Sequence, residues 1–154
     1  MQRRTFLKGT LAGSAVAVAV GAGLLSPRSV LAAWPKAAFE AKNVEDAMSN
    51  LYGSADNTPS GDIKIKAPDI AENGAVVPVS VSTSLSNVDS IAVIAEKNGT
   101  PLASNFTLSA NTVADVSTRI KMGKTSDVIA VVKANGKVYS ARKNVKVTIG
   151  GCGG

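Results

Sequence analysis

From residue 62 onward, apolar and polar residues alternate with a period of two. Ile63-Lys64-Ile65-Lys66 opens the pattern, and further runs follow at 76–81, 88–96, 106–108, 113–122, 127–133 and 138–149. Successive side chains of a strand point to opposite faces, so Ile91, Val93 and Ala95 share one face and Ile94 takes the other. Asn98-Gly99 marks a turn, and Asn135-Gly136 is a strong hairpin signal between two apolar runs. About seven short strands, with turns at roughly ten-residue intervals, predict a mainly β chain folded as an antiparallel β-sandwich over 62–149. Pro78 falls inside the second run. Proline cannot donate to a sheet ladder, so its strand is expected at an edge or bulged. An uncovered edge there is a candidate docking surface.

Before residue 62 the period changes. Ala37, Ala41, Val44, Met48 and Leu51 recur at spacings of four and three, which predicts one short helix over 35–52. Pro35 suits its first turn and Gly53 its C-cap. This helix either packs on its own domain or serves as a partner-binding arm. Residues 54–61 read as a polar linker, so 33–61 is taken as helix plus linker. Residues 1–32 have a different character. Arg3-Arg4-Thr5-Phe6-Leu7-Lys8 is a basic stretch with a twin arginine, residues 10–25 are mildly apolar, and Val30-Leu31-Ala32 offers small residues for cleavage. This predicts a twin-arginine signal peptide and a periplasmic destination, with cleavage after Ala32 or Ala33.

Charge and composition narrow the chemistry. The net charge is +6, but Arg3, Arg4, Lys8 and Arg28 all lie in 1–32, which leaves +2 for the remainder. The charges are scattered and aromatics are few, so neither nucleic-acid binding nor a membrane anchor is expected. The chain has no histidine and one cysteine. That removes Ser/His and Cys/His catalysis and disfavours a tightly bound metal. Neither a cofactor nor intrinsic enzymatic activity is expected. The twin-arginine route carries folded proteins, so with no cofactor to protect, export in complex with a partner is expected.

The remaining chemistry rests on Cys152, inside Gly150-Gly151-Cys152-Gly153-Gly154. Glycine samples most of φ/ψ space, so residues 150–154 are expected to form a flexible arm. The arm is slim enough for its thiol to enter another protein's narrow site. No second cysteine can resolve a disulfide within the chain. The thiol is therefore a covalent attachment point served by partners or, alternatively, the link in an interchain disulfide of a noncatalytic binding module. Loading at a terminal Gly-Gly carboxylate requires ATP, which an exported chain lacks. A prenylation box would need three residues after the cysteine.

The tail Val145-Lys-Val-Thr-Ile-Gly-Gly-Cys152-Gly-Gly resembles that of the SoxY family, the sulfur-compound carrier subunits of the periplasmic thiosulfate-oxidising Sox system. Ala67-Pro-Asp-Ile-Ala-Glu-Asn-Gly-Ala-Val-Val-Pro78 and Ser117-Thr-Arg-Ile-Lys-Met-Gly123 are similar to internal segments of that family. The resemblance implies an immunoglobulin-like sandwich and a heterodimer with a co-exported SoxZ-like subunit. It implies Cys152 as the covalent sulfur attachment site, with Gly150, Gly151, Gly153 and Gly154 as the carrier arm. It also implies transient docking to a haem c thiosulfate-conjugating enzyme (SoxAX), a manganese hydrolase (SoxB) and, where present, a sulfane dehydrogenase.

Overall fold

The computed structural model describes residues 34–148. Among these residues two helices come first, α1 (Lys36–Glu40) and α2 (Val44–Tyr52). Nine strands follow: β1 (Thr58–Pro59), β2 (Ile63–Lys66), β3 (Ile70–Ala71), β4 (Val77–Thr83), β5 (Val88–Ala95), β6 (Leu102–Thr107), β7 (Asp115–Ile120), β8 (Ser126–Ala134) and β9 (Lys137–Val147). They form two sheets, one ordered β1-β9-β8-β5-β6 with β3 also on β9, the other β2-β4-β7. The result is an immunoglobulin-like sandwich, with all seven predicted strands present and two short ones added.

The alternation of the sequence becomes the core between the sheets. Val77, Val79 and Val81 of β4 face Ile91 and Val93 of β5 and Val128, Ala130 and Val132 of β8 within one buried cluster. The opposite faces of β5 and β8 are buried as well. Ala92, Ile94, Ile129 and Val131 pack with Ala38, Ala47 and Met48 of the helices. The helices thus make a third layer, so they pack on their own domain. Burial on both faces explains why β8 reads as a dense apolar run rather than a clean alternation. Asn135 and Gly136 both take positive φ at the tip of the β8–β9 hairpin, as the Asn-Gly signal predicts.

Three expectations need correction. The predicted single helix is two. Asn43 has an extended backbone, and its side chain accepts a 2.7 Å hydrogen bond from the Asp46 amide. Asparagine at an N-cap supplies a partner for an otherwise orphan helical N–H, so a new helix starts there. Consequently Ala38, and not Ala37, is the buried residue of α1. The polar linker also contains a strand, because β1 pairs in parallel with Tyr139 and Ser140 of β9. Finally, Pro78 lies on the central strand of the smaller sheet. It is tolerated because β2 ends opposite Ser80, at the Lys66 pair, so no β2 residue pairs with β4 at Pro78. Only that stretch of β4 is edge-like, and no bulge is needed.

Helix α2 ends at Gly53 in the left-handed region, with its amide bonded to Ser49 O at 2.9 Å. Just before it, burial pushes the Tyr52 phenol above its usual value of 10.0, with the Ser90 hydroxyl opposing the shift in part. The phenol oxygen has no well-formed hydrogen bond. The folded chain therefore keeps a proton that the unfolded chain releases near pH 10, and stability falls as pH rises from about 10 through the higher folded value. Tyr52→Phe should leave neutral stability within about 1 kcal/mol and flatten this alkaline loss. Urea midpoints at about pH 8 and about pH 11 test it; an unchanged alkaline slope in the variant would refute the role of Tyr52.

Candidate functional site

The residues singled out for function, Cys152 with Gly150, Gly151, Gly153 and Gly154, lie outside the described residues, as do Arg3 and Arg4. The structure does describe the strand that precedes the cysteine. β9 pairs with β8 along its length, from Lys137 opposite Ala134 to Val145 opposite Ser126. Past Val145 the strand has no β8 partner, and two other devices take over.

On one flank stands Thr125. Its hydroxyl accepts a 2.9 Å hydrogen bond from the Val147 amide and lies 3.4 Å from the Val147 carbonyl as a donor. One side-chain oxygen thus stands where a strand would otherwise be. On the other flank lies β3, paired in parallel, with Ile70 opposite Lys146 and Ala71 opposite Val147. The Lys146 amide donates to Asp69 O at 2.9 Å, and the Thr148 amide donates to Ala71 O at 3.1 Å. Lys143 adds an ion pair to Asp69 at 3.1 Å, in which the Asp69 side chain is 89% exposed. Exposed pairs of this kind contribute little to stability, so the backbone bonds carry the anchorage.

Gly74 locks this root to the neighbouring loop. Its carbonyl accepts a 2.7 Å bond from the Met122 amide. A Cβ on residue 74 would run into the Met122 carbonyl and stand 2.8 Å from a methyl of Val147. The backbone of the 72–76 loop is therefore pressed against both the β7–β8 loop and the last residue of β9. Asn73 shapes the turn, with its side-chain oxygen accepting from the Ala75 amide at 3.0 Å. The two internal segments that carried the family resemblance, 67–78 and 117–123, meet at this root. Ile70 and Val76 stand exposed beside it, at 55% and 50%.

Among the described residues, no cluster of histidine, cysteine, aspartate or glutamate could hold a metal ion. No helix among them is long and apolar enough to cross a membrane. What the described residues do provide is a strand end held by Thr125 and β3, a few residues before Cys152 in the sequence.

A family model described as the sulfur oxidation protein SoxY matches residues 48–152, more than half of the chain. The chain belongs to the SoxY family. A solved SoxY, described as the sulfur carrier protein of Chlorobium limicola f. thiosulfatophilum, is 40% identical. That match covers 75% of this chain and 100% of the other, with a TM-score of 0.64. Two structures of a superoxide reductase (neelaredoxin) from Ignicoccus hospitalis match at 21% and 19% identity, each with a TM-score of 0.50. They cover 60% and 56% of this chain, and 81% and 80% of their own. At that identity they share the fold alone. No curated protein matches the chain.

Reading the sequence as SoxY-like located the family but missed the anchor. Thr125 carries no motif, and β3 is too short to show a period. The Asn73-Gly74 pair is a visible turn signal, but the pressure on its α-carbon arises only when the loops meet. Gly74→Ala should cost about 1–3 kcal/mol, since the obstruction is a backbone carbonyl that cannot swing aside. The denaturant midpoint measures it; a variant as stable as the parent would show that the loop has room.

Proposed function

We propose that this chain is an exported sulfur carrier that holds thiosulfate-derived sulfur covalently on Cys152. The observation that carries the proposal is the family match itself, which extends to residue 152, the position of the chain's one cysteine. In the loading step the Cys152 thiol and thiosulfate join as Cys–S–S–SO3⁻. The thiol proton is released, and two electrons pass to a haem c partner of the SoxAX kind. Water then cleaves the terminal S–S bond on a SoxB-like manganese hydrolase, releasing sulfate and leaving a persulfide on Cys152. A sulfane dehydrogenase, where the organism has one, oxidises that sulfur in turn.

Covalent tethering keeps reactive sulfur from diffusing away and raises its local concentration at each enzyme. Gly150, Gly151, Gly153 and Gly154 keep the carrying peptide narrow. The twin arginine Arg3-Arg4 directs the folded chain to the periplasm, in complex with a SoxZ-like subunit that has no signal of its own. The chain itself is the substrate platform and performs no catalysis. Thr148, held by Ala71, is the last described residue before the arm.

Intact mass of the protein from thiosulfate-fed cells, with and without reductant, tests the proposal. A reducible sulfur adduct on the last tryptic peptide is the expected result, and Cys152→Ser should abolish it without loss of fold. A thiol that is bare or merely dimerised whatever the substrate would replace the carrier with a disulfide-linked binding module. Gly151→Val should leave the denaturant midpoint unchanged but slow enzymatic loading at least several-fold. Normal loading by that variant would remove the need for a slim arm.

A further inference from the structure

A shallow concavity of about 630 Å³ opens where the β5–β6 turn meets the β7–β8 loop. Four lysines line it: Lys97 from the turn, Lys121 and Lys124 from the loop, and Lys42 from the break between the helices. No carboxylate lines it. Of the nine other described cations, three find carboxylate partners, whereas Lys64, Lys66, Arg119, Lys133, Lys137 and Lys146 have no ion pair. Lys36 pairs with Glu40, Lys143 with Asp69, and Arg142 with both Glu96 and Asp127. Glu96 precedes Lys97 in the chain yet is turned to Arg142, at 2.9 Å. None of the four concavity lysines lies within ion-pair distance of a carboxylate among the described residues. A depression walled by uncompensated charge of one sign concentrates counter-ions of the other.

Its floor is fixed. The Asn98 side chain donates to Lys121 O at 2.6 Å and accepts from the Gly123 amide at 3.0 Å, which ties the turn to the loop. The loop then continues from Lys124 into Thr125, whose hydroxyl holds Val147. From Gly123 to Thr125 the chain spans at most about 7 Å, and the five residues from Val147 to Cys152 can reach about 17 Å. The basic concavity is therefore within tether length of the cysteine.

We infer that this concavity is a binding site for a sulfur oxyanion, the sulfonate end of a thiosulfate-derived group. The inference rests on the carrier reading of Cys152. A sulfonate borne by Cys152 and free thiosulfate present the same chemistry to the lysines, but the tethered group arrives at an effective concentration in the millimolar range or above. Held there, the charged end of the adduct is withdrawn from solvent-borne thiols between visits to partner enzymes.

Amide NMR on the full chain tests this. Tetrathionate loads the thiolate as Cys–S–S–SO3⁻ and releases thiosulfate, and intact mass confirms the adduct. The loaded chain should shift the amides of Gly99 and Gly123, whereas a chain capped with iodoacetamide, which is neutral, should not. Lys97→Gln with Lys124→Gln, both at exposed positions, should lower the bound fraction about tenfold. Added salt should do likewise. In Cys152→Ser, free thiosulfate should shift the same amides with millimolar half-saturation.

A loaded chain of correct mass whose concavity amides do not move overturns the inference while leaving the carrier proposal intact. The same holds if only the free anion moves them. Equal shifts from chloride, or shifts indifferent to the lysine substitutions, would mean an adventitious ion only and overturn it. Failure of the carrier reading shows separately, as an absent adduct in thiosulfate-fed cells.

Discussion

The hydrogen-bond ladder of β9 is the constraint on which the rest of the molecule depends. This strand runs from the hairpin at Asn135-Gly136 to the last described residues, and its backbone groups need partners throughout. β8 satisfies one flank as far as Val145. The other flank would be an open sheet edge, but β1 covers it near Tyr139 and β3 covers it near Val147. Two strands of two residues each thus cover both ends of that edge, which shortens the stretch on which another chain could add a strand.

Around that strand the layers follow from burial. β5 and β8 lie in the middle of the larger sheet and are covered on both faces, by the smaller sheet and by the helices. The short helices need little intrinsic stability, since Ala38, Ala47 and Met48 are secured by contact with Ile94, Ile129 and Val131. Helices of this length gain most of their stability from such packing. The ladder, the core and the helical layer thus hold a single register. A one-residue slip of β8 would exchange its two faces, but each is already matched to a different partner.

How much of this could be read from the chain depends on the range of the forces involved. The alternation of Ile91, Val93 and Ala95, the turn at Asn135-Gly136 and the cap at Gly53 are local, and they were visible. The restart at Asn43 was hidden because the apolar spacing of Ala41, Val44 and Met48 runs across it without a break. Pro78 pointed to an edge strand, which is a statement about neighbours that only strand order decides. β1 and β3 are too short for any period. The cysteine between glycines is read directly from the sequence and lies outside the described residues. Thr125 and Gly74 were not legible, since their roles exist only after the 72–76 and 121–125 loops have come together against Val147.

The pairing at the end of β9 has a mechanical side. A pull on the chain beyond Thr148 runs along the strand axis, and the bonds to Asp69, Ala71, Thr125 and β8 lie across that axis. They are loaded together in shear rather than opened one at a time from an end. On the proposed carrier reading, an enzyme that drew the tail inward would meet a mount that resists as a whole, so the work of insertion would fall on the tail and leave the sandwich undisturbed.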